Sequence, residues 1–345
     1  MVPKAFLTVR RVIAMAVAGA VVGPWLASAG GVTRTQTVEL HEGWNAVFLA
    51  VTPENRDPDV VFADCPVDIV ATYWPVLTPV QFIDDPNEEP WKKPGWGVWY
   101  AAARPDAFLT TLGAVFGNKA YLVHATADYL WQVTGTVVCR PPVWQPNSFN
   151  LVGFCLDGMT PATFGEFFAG DDAFAGRRFY RLVDDKWVLV TDPDGTPMRD
   201  GEAYWVYSRG NSTHAGPVTV AFPGGEAVDF GTVGDDAEIA FSNLLSDSVS
   251  VTVETMSAAG VLPLARALRD ADNPLLYRYE AMPAALALDV PSGTSSTALR
   301  LNVRREQMNE TEQRTLLRIT TGAGTVVWLP VSARREDVTG ETGGQ

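Results

Sequence analysis

"GWNAVFLAV" (residues 43–51) and "SFNLVGFCL" (148–156) fall into one pattern when laid over each other. An aromatic residue precedes asparagine in both, as Trp44-Asn45 and Phe149-Asn150, and Val47 then coincides with Val152. Downstream, "DPDVVFADC" (57–65) faces "TPATFGEFF" (160–168). Each predicts a short helix, with Asp57 or Thr160 as N-cap and Pro58 or Pro161 at the first helical position. The ends agree as well: "KAYLV" (119–123) matches "EAYWV" (202–206), and "WQVTGTVV" (131–138) is set against "THAGPVTV" (213–220). Alternating apolar and polar residues in these runs are the mark of half-buried strands. Cys155 and Asp157 look reactive beside their glycines, yet they align with Ala50 and Thr52. What recurs is the asparagine, the apolar strand and the proline-started helix, which are requirements of a fold. Residues 30–140 and 141–222 are therefore expected to be two related β-rich units, each with a short helix.

Past Pro223-Gly224-Gly225 the pattern changes. "EAVDFGTVGDDAEIAFSNLLSDSVSVTVETM" (226–256) alternates strands with turns, and "ALALDVPSGTSSTALRLNVRR" and "RTLLRITTGAGTVVWLPVSARR" repeat the scheme. Short strands broken at close intervals by Gly, Asp and Ser predict a β-sandwich over 223–335. This segment resembles the immunoglobulin-like domains of the abnormal-spindle/hydin type. "VDFGTV" (Val228–Val233), Asn243-Leu244, "VSVTV" (249–253) and "VWLPVSA" (327–333) carry the resemblance. It implies a structural or assembly module and brings no catalytic residues. The repeated unit, with its "GWN" opening and "AYWV" closing, looks like a domain of large secreted or surface proteins of bacteria. The fold class expected is mainly β: two tandem related units followed by an immunoglobulin-like sandwich, with a disordered polar tail at 336–345.

The first 29 residues read as a signal peptide. Lys4, Arg10 and Arg11 precede an apolar run, and "ASA" at 27–29 is a small-residue cleavage pattern. A retained anchor is the alternative, although the run is short and contains Pro24. Arg10-Arg11 leaves Sec and twin-arginine export both open. No later apolar run is long enough to span a bilayer, so no membrane span is expected in the mature chain. The formal net charge of −14 repels phosphate backbones and makes nucleic acid a poor partner. Three cysteines, Cys65, Cys139 and Cys155, leave at least one thiol unpaired within the chain. Cys139 and Cys155 flank one short connection and are the expected disulfide; three buried thiols are the alternative.

Catalytic patterns are sparse. His41, His124 and His214 are far apart and show no zinc-protease spacing. There is no nucleophile elbow and no phosphate-binding glycine loop. "DPDGTPMRDGE" (192–202) starts like a calcium loop but places its glycine wrongly, and Asp194-Gly195 reads more simply as a turn. "DDPNEEP" (84–90) reads as a solvated acidic loop. No metal and no cofactor is expected.

The positive signal is tryptophan. "EEPWKKPGWGVWY" (88–100) holds Trp91, Trp96, Trp99 and Tyr100, in an insertion that the first unit has and the second lacks. Rings on such a loop can stack on sugars or anchor a protein; the alternative is strand core. The expected function is a non-catalytic secreted, periplasmic or cell-surface protein, serving adhesion or envelope assembly, with a surface or extracellular protein or a glycan as partner. A carbohydrate-binding protein using the tryptophan-rich loop is the alternative. A secreted glycoside hydrolase, which needs two facing carboxylates, is the second.

Overall fold

The computed structural model describes residues 31–74, 95–138, 140–256, 261–270, 273, 276–293 and 296–335. The expected signal peptide, Trp91, the acidic loop 84–90, Cys139 and the tail lie outside them.

The first unit contains β1 (Thr33–Leu40), β2 (Gly43–Leu49), β3 (Val51–Pro53), α1 (Pro58–Val61), β4 (Val67–Tyr73), β5 (Trp96–Tyr100), β6 (Lys119–Ala125) and β7 (Tyr129–Val137). The second contains β8 (Ser148–Gly153), α2 (Phe164–Phe167), β9 (Phe179–Val183), β10 (Lys186–Leu189) and β11 (Ala203–Ser208). Each builds a four-stranded antiparallel sheet, in the order β2-β6-β4-β5 and β8-β11-β9-β10. The two orders are the same, with the closing strand inserted beside the opening one. Register agrees too: Asn45 lies opposite Val123 and Val47 opposite Tyr121, while Asn150 lies opposite Val206 and Val152 opposite Tyr204.

The recurring polar residues are spent on this frame. Asn45 accepts from His41 N–H at 2.9 Å and donates to His41 C=O at 2.8 Å. Asn150 does the same with Gln145, at 2.7 and 3.1 Å. Each side chain closes the loop that feeds the opening strand. The hydroxyl of Tyr121 accepts from Phe116 N–H at 2.8 Å and donates to Phe116 C=O at 3.1 Å. Tyr204 treats Arg199 in the same way, at 2.7 and 3.2 Å. A buried N–H and C=O left open in a loop are costly, so one hydroxyl serving both is stabilising.

Asp57 caps α1 as expected, accepting from Asp59 N–H, with Pro58 in the first turn. The cap of α2 is Thr163 rather than Thr160. Thr163 has Glu166 three residues on, and the two form a reciprocal capping box. Thr160 instead donates to Asp157. The turn Asp184-Asp185 joins β9 to β10 with φ of 48° and 63°, the left-handed pair that a tight hairpin needs.

Alternate residues divide each sheet between two cores. Val47, Leu49, Tyr121 and Val123 face a core inside the first unit, covered by a small sheet of order β1-β7-β3. Tyr204 and Val206 face an aromatic core of the second unit, which includes Phe154, Phe164, Phe167 and Phe174. The opposite faces meet each other. Ala46, Phe48, Ala120 and Leu122 from one sheet, and Phe149, Ala203 and Trp205 from the other, share one buried cluster. The two copies thus form a sandwich with each other, and their strands are covered on both faces except at the exposed edge strand β10.

The C-terminal part is a second sandwich. Its strands are β12 (Val218–Ala221), β13 (Val228–Asp229), β14 (Asp236–Asn243), β15 (Val249–Met256), β16 (Leu264–Arg269), β17 (Tyr277–Ala281), β18 (Ala285–Val290), β19 (Ser296–Val303), β20 (Glu312–Thr321) and β21 (Val326–Arg334). They form two five-stranded sheets, β12-β14-β19-β16-β17 and β13-β21-β20-β15-β18. All pairs are antiparallel except β13 with β21. The inner faces meet over Ile239, Phe241, Val251, Leu301 and Leu317. β12, which the sequence pattern groups with the second unit, pairs with β14 here. Alternation marks a strand but cannot name its neighbour, and Val218 finds its burial in the sandwich core.

Candidate functional site

The structure places the expected aromatic residues on β5. That strand is the counterpart of β10 and belongs to the repeated sheet, so Trp96, Trp99 and Tyr100 are not in the insertion. Trp96 is 9% exposed and lies 5.5 Å from Tyr73 and 6.2 Å from Trp205, ring to ring. Trp99 is 5% exposed, packs on Phe62 at 5.4 Å and donates Nε1–H to Asp59 at 2.7 Å. Both rings are taken up by packing and offer no face for a sugar. Tyr100 is half-buried under the Arg104 guanidinium, 5.7 Å away. Burial is the correction to the stacking expectation for Trp96 and Trp99.

Histidine chemistry resolves differently at each position. His214 is buried, with Nε2–H donating to Phe167 C=O at 2.7 Å. Burial pushes its pKa down and keeps it neutral, although the Phe167 carbonyl and Asp171 pull the other way. His124 sits on β6, where its Nδ1 meets Asp68 at 2.6 Å. The other Asp68 oxygen holds Arg104 at 2.5 Å, and Arg104 also binds Asp106 at 2.8 Å. The repeat locates this cluster: Trp44 and His124 are cross-strand partners 5.1 Å apart, and their counterparts are Phe149 and Tyr207 at 5.2 Å. His124 is thus the polar variant of an aromatic pair, held by Asp68 from a neighbouring strand. Asp192 accepts from Gly195 N–H at 3.0 Å, and Asp194 pairs with Arg177 at 2.5 Å, so the calcium-like stretch is a turn. Among the described residues no group of three or more His, Cys, Asp or Glu side chains could hold a metal.

One concave feature lies where all three parts meet. A cavity of about 280 Å³ is lined by Phe48, Phe154, Cys155, Phe222, Val327 and Trp328. Arg140 also lines it and pairs with Glu226 at 2.7 Å. Cys155 is half-buried in this wall. The turn between β20 and β21 seals one side, with Gly324 C=O accepting from Asp157 N–H and Val326 N–H donating to Cys155 C=O, each at 3.0 Å. Gly324 has a φ of +77°, and a Cβ there would lie 2.3 Å from Ala162 N. Only glycine admits this turn.

A cluster of charged side chains lies at the same junction. Asp200, between β10 and β11, accepts from Leu156 N–H at 3.0 Å. Burial raises its pKa, against the pull of the Leu156 N–H and of Arg34 and Arg318. Arg34 comes from β1 and Arg318 from β20, so one carboxylate of the second unit faces cations from both other parts. Arg318 also bonds Glu254 at 3.1 Å, and the Arg34 guanidinium stacks 4.5 Å from the Trp328 ring. Sequence reading missed these residues because no local spacing unites positions 34, 200 and 318.

No family model matches the chain, and no curated protein matches it. Solved structures give partial likenesses. The apo-form Calx CBD1 domain aligns at 15% identity over 35% of this chain and 98% of that one, with a TM-score of 0.23. The CsuC–CsuE chaperone–tip adhesion subunit pre-assembly complex of Acinetobacter baumannii aligns at 14% over 34% of this chain and 57% of that one, with a TM-score of 0.21. The ASH/PapD-like domain of human CEP192 aligns at 8% over 35% and 85%, with a TM-score of 0.19. The β-sandwich architecture stands on the strand pairing itself.

Proposed function

We propose that the chain is an exported, non-catalytic structural protein, acting in adhesion or envelope assembly by holding surfaces in fixed relation. The observation that supports this is the use of the repeated residues. Asn45, Asn150, Tyr121 and Tyr204 build loops, and the aromatic faces of the two sheets bury one another. Cys155 and Asp157, which look reactive in the sequence, hold the third part instead: their backbone groups bond Val326 and Gly324, and the Asp157 carboxylate meets Arg318 at 3.6 Å. A glycan-binding reading retains only Tyr100 among the described ring candidates. A hydrolase would need two carboxylates facing a cleft; Asp68 and Asp106 are instead both held by Arg104. Fractionation of a bacterial host expressing the full, C-terminally tagged chain tests the proposal. The expected product lacks residues 1–29 and lies in the envelope or the medium. An unprocessed chain in the cytoplasm overturns the export reading.

A further inference from the structure

β17, "YRYEA", is the terminal strand of its sheet. Its inward partner is β16, and two bonds fix the alternation: Met282 N–H donates to Leu264 C=O at 2.9 Å, and Asp270 N–H to Leu276 C=O at 3.0 Å. Even-numbered residues therefore bond inward. Tyr277, Tyr279 and Ala281 present their N–H and C=O groups outward, and among the described residues no backbone group meets them. Arg304 donates to Tyr279 C=O at 3.2 Å, which leaves the second lone pair of that oxygen. An exposed row of this kind is a template for another strand.

From this arrangement we infer that β17 pairs with β17 of a second copy of the chain, antiparallel and two-fold symmetric about Tyr279. That centre is set by the sequence. It puts Tyr279 opposite itself and Tyr277 opposite Ala281, and all of these are outward-bonding positions, so the hydrogen-bond alternation matches on both strands. It also puts Arg278 opposite Glu280 of the other copy, twice. Opposite charges facing across strands are favourable, and like charges are not. Arg278 is 69% exposed, and its present contact to Glu280 of the same strand, at 2.7 Å, can be shared across the axis. A centre moved by half a residue would lose the hydrogen-bond alternation; one moved by a whole residue would set Arg278 opposite Arg278 or Glu280 opposite Glu280, and one moved by two would lose the Arg–Glu match. A two-fold contact of this kind closes on itself and yields a dimer, not a fibre.

The inference names a partner for the structural reading of the chain, and its test is independent of export. Sedimentation velocity on the purified mature chain, from about 1 µM to about 500 µM, is expected to show a monomer passing to a dimer. Tyr279→Pro removes an N–H that points away from the sheet, a place where proline is tolerated. It should weaken association at least tenfold in a chain that circular dichroism shows folded, the lost Tyr279 hydroxyl bond to Asp236 lowering the melt only slightly. Arg278→Glu should do the same, and so should Glu280→Arg. Because Glu280 also binds Arg266, circular dichroism checks that the last variant folds. Mixed in equal amounts, R278E and E280R chains should associate again. A wild type that stays monomeric overturns the inference, even if it takes up an unrelated strand-forming peptide at this edge. So does a Tyr279→Pro chain that dimerises normally, or a folded mixture that does not recover.

Discussion

Gly153 is where the two repeated sheets touch most closely. A Cβ on it would sit 2.3 Å from Cβ of Phe48, 2.5 Å from its Cγ and 2.8 Å from Glu202 C=O. Carbon atoms rest at about 3.5–4.0 Å, so Gly153→Ala overlaps by more than about 1 Å. The obstacle is Cβ of Phe48, which no rotamer change can move. The strands β2 and β8 must part, which strains the bond from Phe48 N–H to Gly201 C=O, 2.8 Å long. Overpacking of this kind costs about 1–3 kcal/mol, and a weakened hydrogen bond adds about 1 kcal/mol. A loss of about 3 kcal/mol is expected in urea unfolding, with a red shift of the emission from the shared core that holds Trp96, Trp187 and Trp205. The cause is isolated by a double-mutant cycle. Phe48→Gly removes the obstructing Cβ, so the G153A/F48G pair should show a coupling of about 2 kcal/mol. Phe48→Ala leaves Cβ in place and should recover less than half of that. If G153A and F48G add to within about 0.5 kcal/mol, Gly153 is not the seat of this contact and the face-to-face docking of the two units is misread.

Tyr121→Phe and Tyr204→Phe each leave a loop N–H and C=O without their shared hydroxyl, and each should cost about 1–3 kcal/mol by thermal melt; two neutral substitutions would remove the hydroxyls from the account of the repeat. Burial raises the folded pKa of Asp200 above its ordinary 3.8, so its contribution is full below that value and is lost as pH rises through the folded value. Asp200→Asn should therefore raise the melting temperature at pH 7 and change it little near pH 3, and a lower melting temperature at pH 7 would mean that Arg34 and Arg318 outweigh burial. Burial pushes the Cys65 thiol up to about 11 from 9.0, with Asp64 adding to it, which cuts the thiolate fraction at pH 8 about a hundredfold. The greater nucleophilicity of a more basic thiolate restores about tenfold, so labelling by a disulfide reagent should run about ten times slower than for a free cysteine, and an equal rate would contradict the burial.

The parts of this fold that were legible in the sequence are those carried by short spacing. Asn45 and Tyr121 sit a fixed distance into their strands, as do Asn150 and Tyr204, and a hydrogen bond to a backbone four or five residues back needs nothing from the rest of the chain. Strand alternation in β14, β15, β19 and β20 is equally local. What failed was pairing across distance. The pattern puts β5 in an insertion because the stretch before Trp96 has no counterpart before Lys186, yet Val70 finds Trp99 across the sheet. β12 looked like the echo of β7, since alternation is the same whichever neighbour a strand has. Nothing in the sequence marks His124, because Asp68 is far away along the chain and only the register of β4 beside β6 brings the carboxylate to the ring. The Asp200 cluster draws on three separate parts and leaves no pattern at all.

One feature of the sequence explains why the repeated sheets are covered on two faces, beyond the half-burial expected from alternation. Ala46 to Val51 is unbroken by any polar residue, and so is Ala120 to Val123. A sheet with one wet face alternates; a run without alternation is buried on both sides. In a single unit one of those faces has cover of its own, from β1, β3 and β7 in the first and from the phenylalanine-rich segment around α2 in the second. The other face has none. It carries Phe48 and Leu122 in one copy and Phe149 and Trp205 in the other, a patch too apolar for a lone unit to leave in water. The second copy supplies the missing cover, with the same strand order and therefore a matching outline. Gly153 opens a gap that Phe48 enters, and Trp205 fills the space beside Tyr73 and Trp96. Two copies solve the burial of one face, which is a sufficient physical reason for the sequence to contain the unit twice. The sandwich then adds what a symmetric pair lacks, a third body held against both by Gly324 on Ala162 and Asp157, Arg318 on Asp157 and Trp328 on Arg34, with β17 left on the far edge of its own sheet.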